Sequence, residues 1–349
     1  MSTNNNAGFL AIELDGAGWD GGAFNGLAEA VLAAESAGFH IATFADAPEA
    51  GRANALQRAA FAGPVTRSIA LVPEVDTVYT EPFHVSTQLA SLDYVSGGRA
   101  GWIATAAESP EAAAAVGRSF VSGDALGQEA AASIEVGRRL WDSWEDDAVI
   151  RDVATGRYID VDKLHYADFE TPEGFAGAAY SVKGPSIIPR PLQGQLPVLA
   201  SASLVGEGSV PAGAVDAVLV TAPTPELLVA EVRDVRARLG ASVAVVAELD
   251  VVLDSRGEPA ARRVVPEGDH ARFSGSAAEL TDYLDALLQE ADGVRLHPGD
   301  LALELDELSR LVLPELRRRG SLQPPVQDAT FRGLLGLEHA DNRYSTAGK

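Results

Sequence analysis

Short apolar runs rich in Val, Ile, Leu and Ala recur along the chain, separated by longer stretches in which apolar and polar positions alternate with a helical period. The runs predict strands over 8–14, 40–45, 69–75, 101–105, 198–202, 217–221, 243–249 and 293–297. The amphipathic stretches predict helices over 24–37, 53–62, 83–94, 225–239 and 277–290. Turn residues bound each strand, and each helix is long enough to carry the chain back across a parallel sheet. Eight such units predict an α/β fold of the (β/α)8 barrel type, one domain over 1–349, with functional groups at the carboxyl ends of the strands.

The rhythm breaks once. Between the fourth and fifth strands, residues 106–196 form a long insertion with helical patterns over 110–120 and 124–143, then a turn-rich segment over 151–195. A connection of this length shapes a substrate site or packs an oligomer. The tail over 322–349 is expected to wrap the barrel exterior.

Composition narrows the partners. A formal net charge of −23 is unsuited to nucleic acid, whose phosphates need Lys and Arg, and to anionic membranes. The chain has no Cys, so it has no thiolate nucleophile, disulfide or zinc–thiolate site. Met1-Ser2-Thr3-Asn4-Asn5-Asn6 lacks the basic and apolar regions of a signal peptide, and no apolar run has the length of a membrane span. A cytoplasmic protein is expected.

Candidate chemistry is sparse. Gly16-Ala17-Gly18-Trp19-Asp20-Gly21 matches a dinucleotide-binding G-x-G-x-x-G, with Asp46 closing the next strand as a ribose-binding acid would. Asp15 and Asp20 would set negative charge beside a pyrophosphate, and Trp19 is bulky where backbone must approach. The glycines therefore read better as a first barrel loop. The six His residues show no close metal-ligand spacing, so no metal site is expected. His84 reads as a helix-terminus residue, and His297 as a loop histidine facing the site. Asp46, Glu74 and Asp76 end predicted strands, where capping or chemistry are both open readings.

Two stretches carry a family resemblance: Ser91-Leu92-Asp93-Tyr94-Val95-Ser96-Gly97-Gly98-Arg99-Ala100-Gly101-Trp102 and Leu140-Trp141-Asp142-Ser143-Trp144. Thr80-Glu81-Pro82-Phe83-His84, Tyr180-Ser181-Val182-Lys183-Gly184-Pro185 and Pro189-Arg190-Pro191-Leu192-Gln193-Gly194 follow in order. Together they resemble the bacterial luciferase-like flavin monooxygenases, in the nitrilotriacetate and dibenzothiophene-sulfone monooxygenase branch. The resemblance implies a two-component oxygenase: an NAD(P)H:flavin reductase supplies reduced FMN, which captures O2 as a C4a-hydroperoxide that oxidises a small organic substrate. The protein positions and shields that adduct, and no side chain need act as acid or base.

The resemblance places Asp46, Glu74, Trp102, Ile103, Ser201 and Ser203 around the flavin. It also implies polar residues that this chain replaces. Ile103 stands where the family has Asn, Gly123 and Gly127 where it has a phosphate-side His and Tyr, and Ser203-Leu204-Val205 where it has Gly-Ser-Ser. A homo-oligomer, or a hetero-oligomer with a paralogue, is expected. The alternative reading is a catalytically degenerate, non-flavin-binding paralogue that acts as a structural or hetero-oligomer partner. A third is an oxidoreductase with another cofactor, such as a deazaflavin.

Overall fold

The computed structural model describes residues 8–15, 24, 26–46, 53–263 and 270–345. The G-x-G-x-x-G stretch lies outside them. Eight parallel strands form the barrel: β1 (Phe9–Glu13), β2 (Ile41–Phe44), β3 (Ala70–Asp76), β4 (Trp102–Thr105), β5 (Val198–Ser201), β6 (Ala217–Val220), β7 (Ala244–Leu253) and β8 (Gly293–Pro298). The hydrogen-bonded order is β6-β5-β4-β3-β2-β1-β8-β7, and pairing of β6 with β7 closes it. A further strand, Ala271–Gly275, continues beside the far half of β7. The strands are buried on both sides and therefore read as continuous apolar runs rather than alternating ones.

The chain divides into two compact units, one of residues 1–73 with 216–328 and the other of residues 74–215 with 329–349. In the first, Leu27–Ala37 begins after Gly26, whose left-handed backbone sets the start three residues later than the apolar pattern predicts. Pro225–Leu239 opens on a Thr224 cap, and Ala277–Leu287 on a Ser276–Glu279 capping box.

In the second unit, Pro82–Ser96 starts with Pro82 at its first position, and the Glu81 side chain accepts the amides of Phe83 and His84. The His84 backbone amide thus takes part in the helix cap. The insertion holds the helices Pro110–Ala115 and Asp124–Asp142 and two short antiparallel ribbons, Val149–Asp152 with Arg157–Ile159 and Phe169–Glu170 with Ser181–Val182. The helical pattern over 110–120 stops early because the chain turns at Gly117, whose φ is 70°. No described helix is long and apolar enough to cross a membrane.

Candidate functional site

Strand register assigns the expected flavin residues of the second unit to faces. Glu74 of β3 pairs with Ile103 of β4, and Ile103 pairs with Leu199 of β5. Paired residues of a parallel ladder share a face, so Glu74, Ile103 and, two residues beyond Leu199, Ser201 point the same way. Trp102 points the other way. Its ring lies against Gly137 of the long insertion helix, where an added Cβ would sit 3.8 Å from the indole. Its indole N–H donates to the Val75 carbonyl at 3.1 Å. Trp102 thus anchors β4 to the helix layer, and the side chains that β4 turns to the opposite face are the buried, apolar Ile103 and, two residues on, Thr105.

The carboxyl end of β5 carries a hydroxyl pair. Ser201 Oγ and Ser203 Oγ lie 2.8 Å apart, and Ser201 Oγ accepts the Ser203 amide at 3.3 Å. The following loop folds on itself: Ser209 Oγ donates to the Leu204 carbonyl at 2.7 Å, and Val210 N donates to the same carbonyl at 3.2 Å. Ser209 also presses on Gly127, where an added Cβ would lie 2.0 Å from its Oγ and 3.0 Å from its backbone. A Tyr at 127 therefore has no room here. Gly123 begins the 19-residue helix Asp124–Asp142 with no side-chain cap, and open space surrounds its missing Cβ.

This donor set fits the anionic end of a flavin, by different means from those the resemblance implies. Two hydroxyls and an uncapped helix start offer hydrogen-bond donors of the kind that anionic oxygen accepts. Arg118 is committed elsewhere: its Nη1 donates to Val78 O at 2.6 Å, and its Nη2 lies 4.0 Å from Glu129. Asp76 is a loop organiser that accepts the amides of Val78, Tyr79 and Ala107 at 3.1, 2.6 and 2.7 Å. Burial nonetheless raises its pKa above the usual carboxylate range. Asp46, in the first unit, accepts the Ala55 amide at 3.4 Å and so steadies the entry to the helix Ala55–Ala62.

The first unit holds a charged cluster that the sequence reading left unassembled. Glu13 of β1, Thr43 of β2, Glu248 and Asp250 of β7, and Arg295 and His297 of β8 come together, with His270 from the segment before the ninth strand. Arg295 bridges Glu248 at 3.0 Å and Thr43 Oγ at 3.0 Å. His297 Nδ1 lies 3.3 Å from Glu13 and its Nε2 lies 3.4 Å from Glu248. His270 Nδ1 lies 3.0 Å from Asp250, and its ring stacks on that of His297 with centroids 4.0 Å apart.

Burial works to raise the carboxyls of Glu13 and Glu248. Their hydrogen bonds to His297 and the charge of Arg295 outweigh it and hold each at about 2. Burial and Arg295 work to lower His297, but Glu13 and Glu248 prevail and raise it. The available signal was alternation inside apolar strands, Glu248 with Asp250 and Arg295 with His297. Sequence spacing could not join them, because Glu13, the Glu248–Asp250 pair, His270 and His297 come from four segments far apart in the chain.

Comparison with known proteins agrees with the barrel. The luciferase-like monooxygenase family profile matches residues 7–309. The N-acetyl-S-(2-succino)cysteine monooxygenase of Bacillus subtilis is 38% identical over 159 residues, 45% of this chain and 34% of the relative. The dibenzothiophene-sulfone monooxygenase of Rhodococcus erythropolis is 33% identical over 180 residues, 51% of this chain and 38% of the relative. The matched stretches thus span little more than a third of those relatives' length. The EDTA monooxygenase of Chelativorans sp. BNC1 shares the fold, with a TM-score of 0.77 at 17% identity, over 95% of this chain and 99% of that one.

Proposed function

The chain belongs to the luciferase-like monooxygenase family, and from that premise we propose that it is a flavin-dependent monooxygenase that takes reduced FMN from a separate reductase and oxidises a small organic molecule. The observation that carries the reading is the family match across residues 7–309, on a parallel barrel whose β5 ends in a hydroxyl pair. Reduced flavin, when bound, supplies the oxygen-activating chemistry.

The protein's part is binding and exclusion of water. Ser201 and Ser203 would donate to the phosphate, joined by the backbone amides at the uncapped start of Asp124–Asp142. Ile103 lines the inward face of β4 with apolar surface where water would otherwise reach the ring system. Glu74 shares that face. With neutral donors in place of a His and a Tyr, the flavin is held loosely. That suits a co-substrate exchanged with a reductase at each turnover.

Stopped-flow mixing of the protein and reduced FMN with O2 tests the reading. The protein is expected to slow the return of oxidised-flavin absorbance relative to free reduced FMN. A trace that overlays that of free flavin, at protein concentrations far above the flavin, would refute the proposal and favour the structural-partner reading.

A further inference from the structure

We propose that Glu248, His270 and His297 form a binding site for a divalent first-row transition metal ion. Their donor atoms lie within 4.8 Å of one another. Two of the separations are already shorter: His297 Nε2 to Glu248 Oε1 is 3.4 Å, and His270 Nε2 to Glu248 Oε2 is 3.7 Å. An ion with bonds of about 2.0–2.1 Å would need only side-chain rotation to gather them.

The orientation of the imidazoles is the stronger argument. Each ring has its Nδ1 beside a carboxylate, His297 beside Glu13 at 3.3 Å and His270 beside Asp250 at 3.0 Å. That leaves both Nε2 atoms turned towards Glu248. Carboxylates on the far nitrogen fix the tautomer and raise the basicity of metal-ligating histidines, which is the arrangement found around protein-bound metals. His297 Nε2 is moreover buried and makes no hydrogen bond of good geometry, its nearest acidic oxygen being Glu248 Oε1 at 3.4 Å.

The donor types select the metal. Two imidazole nitrogens and one carboxylate oxygen suit Zn2+ or Fe2+ over Mg2+ and Ca2+, which prefer all-oxygen shells. Arg295 occupies one oxygen of Glu248 and leaves Oε2 on the side of His270. Three protein ligands leave coordination positions open to water or to another small ligand. The His270 side chain is 23% exposed, so an ion can reach the cluster from solvent. The two rings now stack at an interplanar angle of 15°, and ligation would open that stack. None of this depends on flavin binding.

The experiment is a Zn2+ and Co2+ titration of the full chain after chelator treatment, with Mg2+ as the control ion. Wild type is expected to bind one equivalent tightly and to give Co2+ the visible absorption of a low-coordinate nitrogen–oxygen site. His270→Gln, at the exposed edge of the cluster, should weaken binding at least hundredfold with unchanged circular dichroism. Asp250→Asn, which weakens the partner of the far nitrogen of His270 together with the ion pair to Arg272, should weaken it about 10–100-fold. Absence of Co2+ binding to wild type, or binding that His270→Gln and His297→Gln both leave intact, would overturn the site. The cluster would then be an ion-pair network, and any bound metal would belong to the acidic surface.

Discussion

Gln193 closes on Asp93 through two hydrogen bonds: its side-chain Nε2 donates to Oδ1 at 2.7 Å and its backbone amide to Oδ2 at 3.1 Å. The same Nε2 reaches the Ala100 carbonyl at 2.9 Å, so one amide ties the end of the insertion to the helix before β4 and to the turn between them. Burial raises the Asp93 carboxyl to about 6 even with these bonds in place. Gln193→Leu should therefore cost about 1–3 kcal/mol, because it leaves a buried acid short of partners. Urea denaturation measures the loss, while reduced-flavin affinity of the folded fraction should stay at the wild-type value.

Ser201 and Ser203 are assigned the anionic end of the flavin. Hydrogen bonds to charged groups contribute about 1.5–3 kcal/mol, so Ser203→Ala should weaken reduced FMN roughly tenfold or more, and the double alanine variant further. Riboflavin, which lacks the phosphate, should lose little in the same variants. Equal losses for both ligands would place the serines elsewhere.

The family resemblance places Ile103 where an Asn is expected. Ile103→Asn should tighten reduced flavin while costing about 1–3 kcal/mol of stability, since an amide buried in the free protein lacks its partner until ligand arrives. Paired thermal melts and flavin titrations read the two effects separately.

Gly127 has no space for a side chain. Gly127→Ala should push the Ser209 loop aside at a cost of about 1–3 kcal/mol and weaken flavin together with it. Gly123→Ala differs: it meets no neighbour, but its φ of 59° strains any side chain, so stability falls with no clash to relieve.

His40 sets a pH dependence in the first unit. Its Nδ1 accepts the Leu10 amide at 3.2 Å, and its Nε2–H donates to the Gln323 carbonyl at 2.9 Å, a pattern only the neutral ring can make. Burial depresses its pKa to about 4. Because the unfolded chain takes up a proton near pH 6.5, the contribution of His40 is complete above that pH and fades as pH falls towards about 4. The full loss is about 3 kcal/mol. Denaturation of wild type and His40→Gln across this range should show their stability difference shrinking as pH falls.

The barrel was legible because each strand is a short apolar run bounded by turns; seven of the eight predicted strands fall on the observed ones within a residue, and the seventh, expected to end at 249, runs on to Leu253, where it pairs with the further strand Ala271–Gly275. The motifs that carry the family resemblance are legible for a related reason: they are joints. Asp93 meets Gln193, Arg190 pairs with Asp142 at 2.8 Å, and the Trp141 and Trp144 indoles donate to Ser86 and Ser186 carbonyls at 3.1 and 2.9 Å. Such residues are needed to build the fold whatever it binds, so they survive where ligand contacts change. Ligand-facing positions were harder to read. Trp102 looked like a flavin residue because it lies in a joint motif, yet strand alternation turns it to the helices and presents Ile103 instead. The cluster around His297 was invisible because closure of the barrel, not sequence spacing, brings β1, β7 and β8 together.

The most direct test of the account is an anaerobic equilibrium titration of the wild-type protein with photoreduced FMN. Saturable micromolar binding is expected, weakened by Ser203→Ala and tightened by Ile103→Asn. No binding at millimolar reduced FMN would contradict it, and would mean that the replacements at Ile103, Gly123 and Gly127 emptied the site.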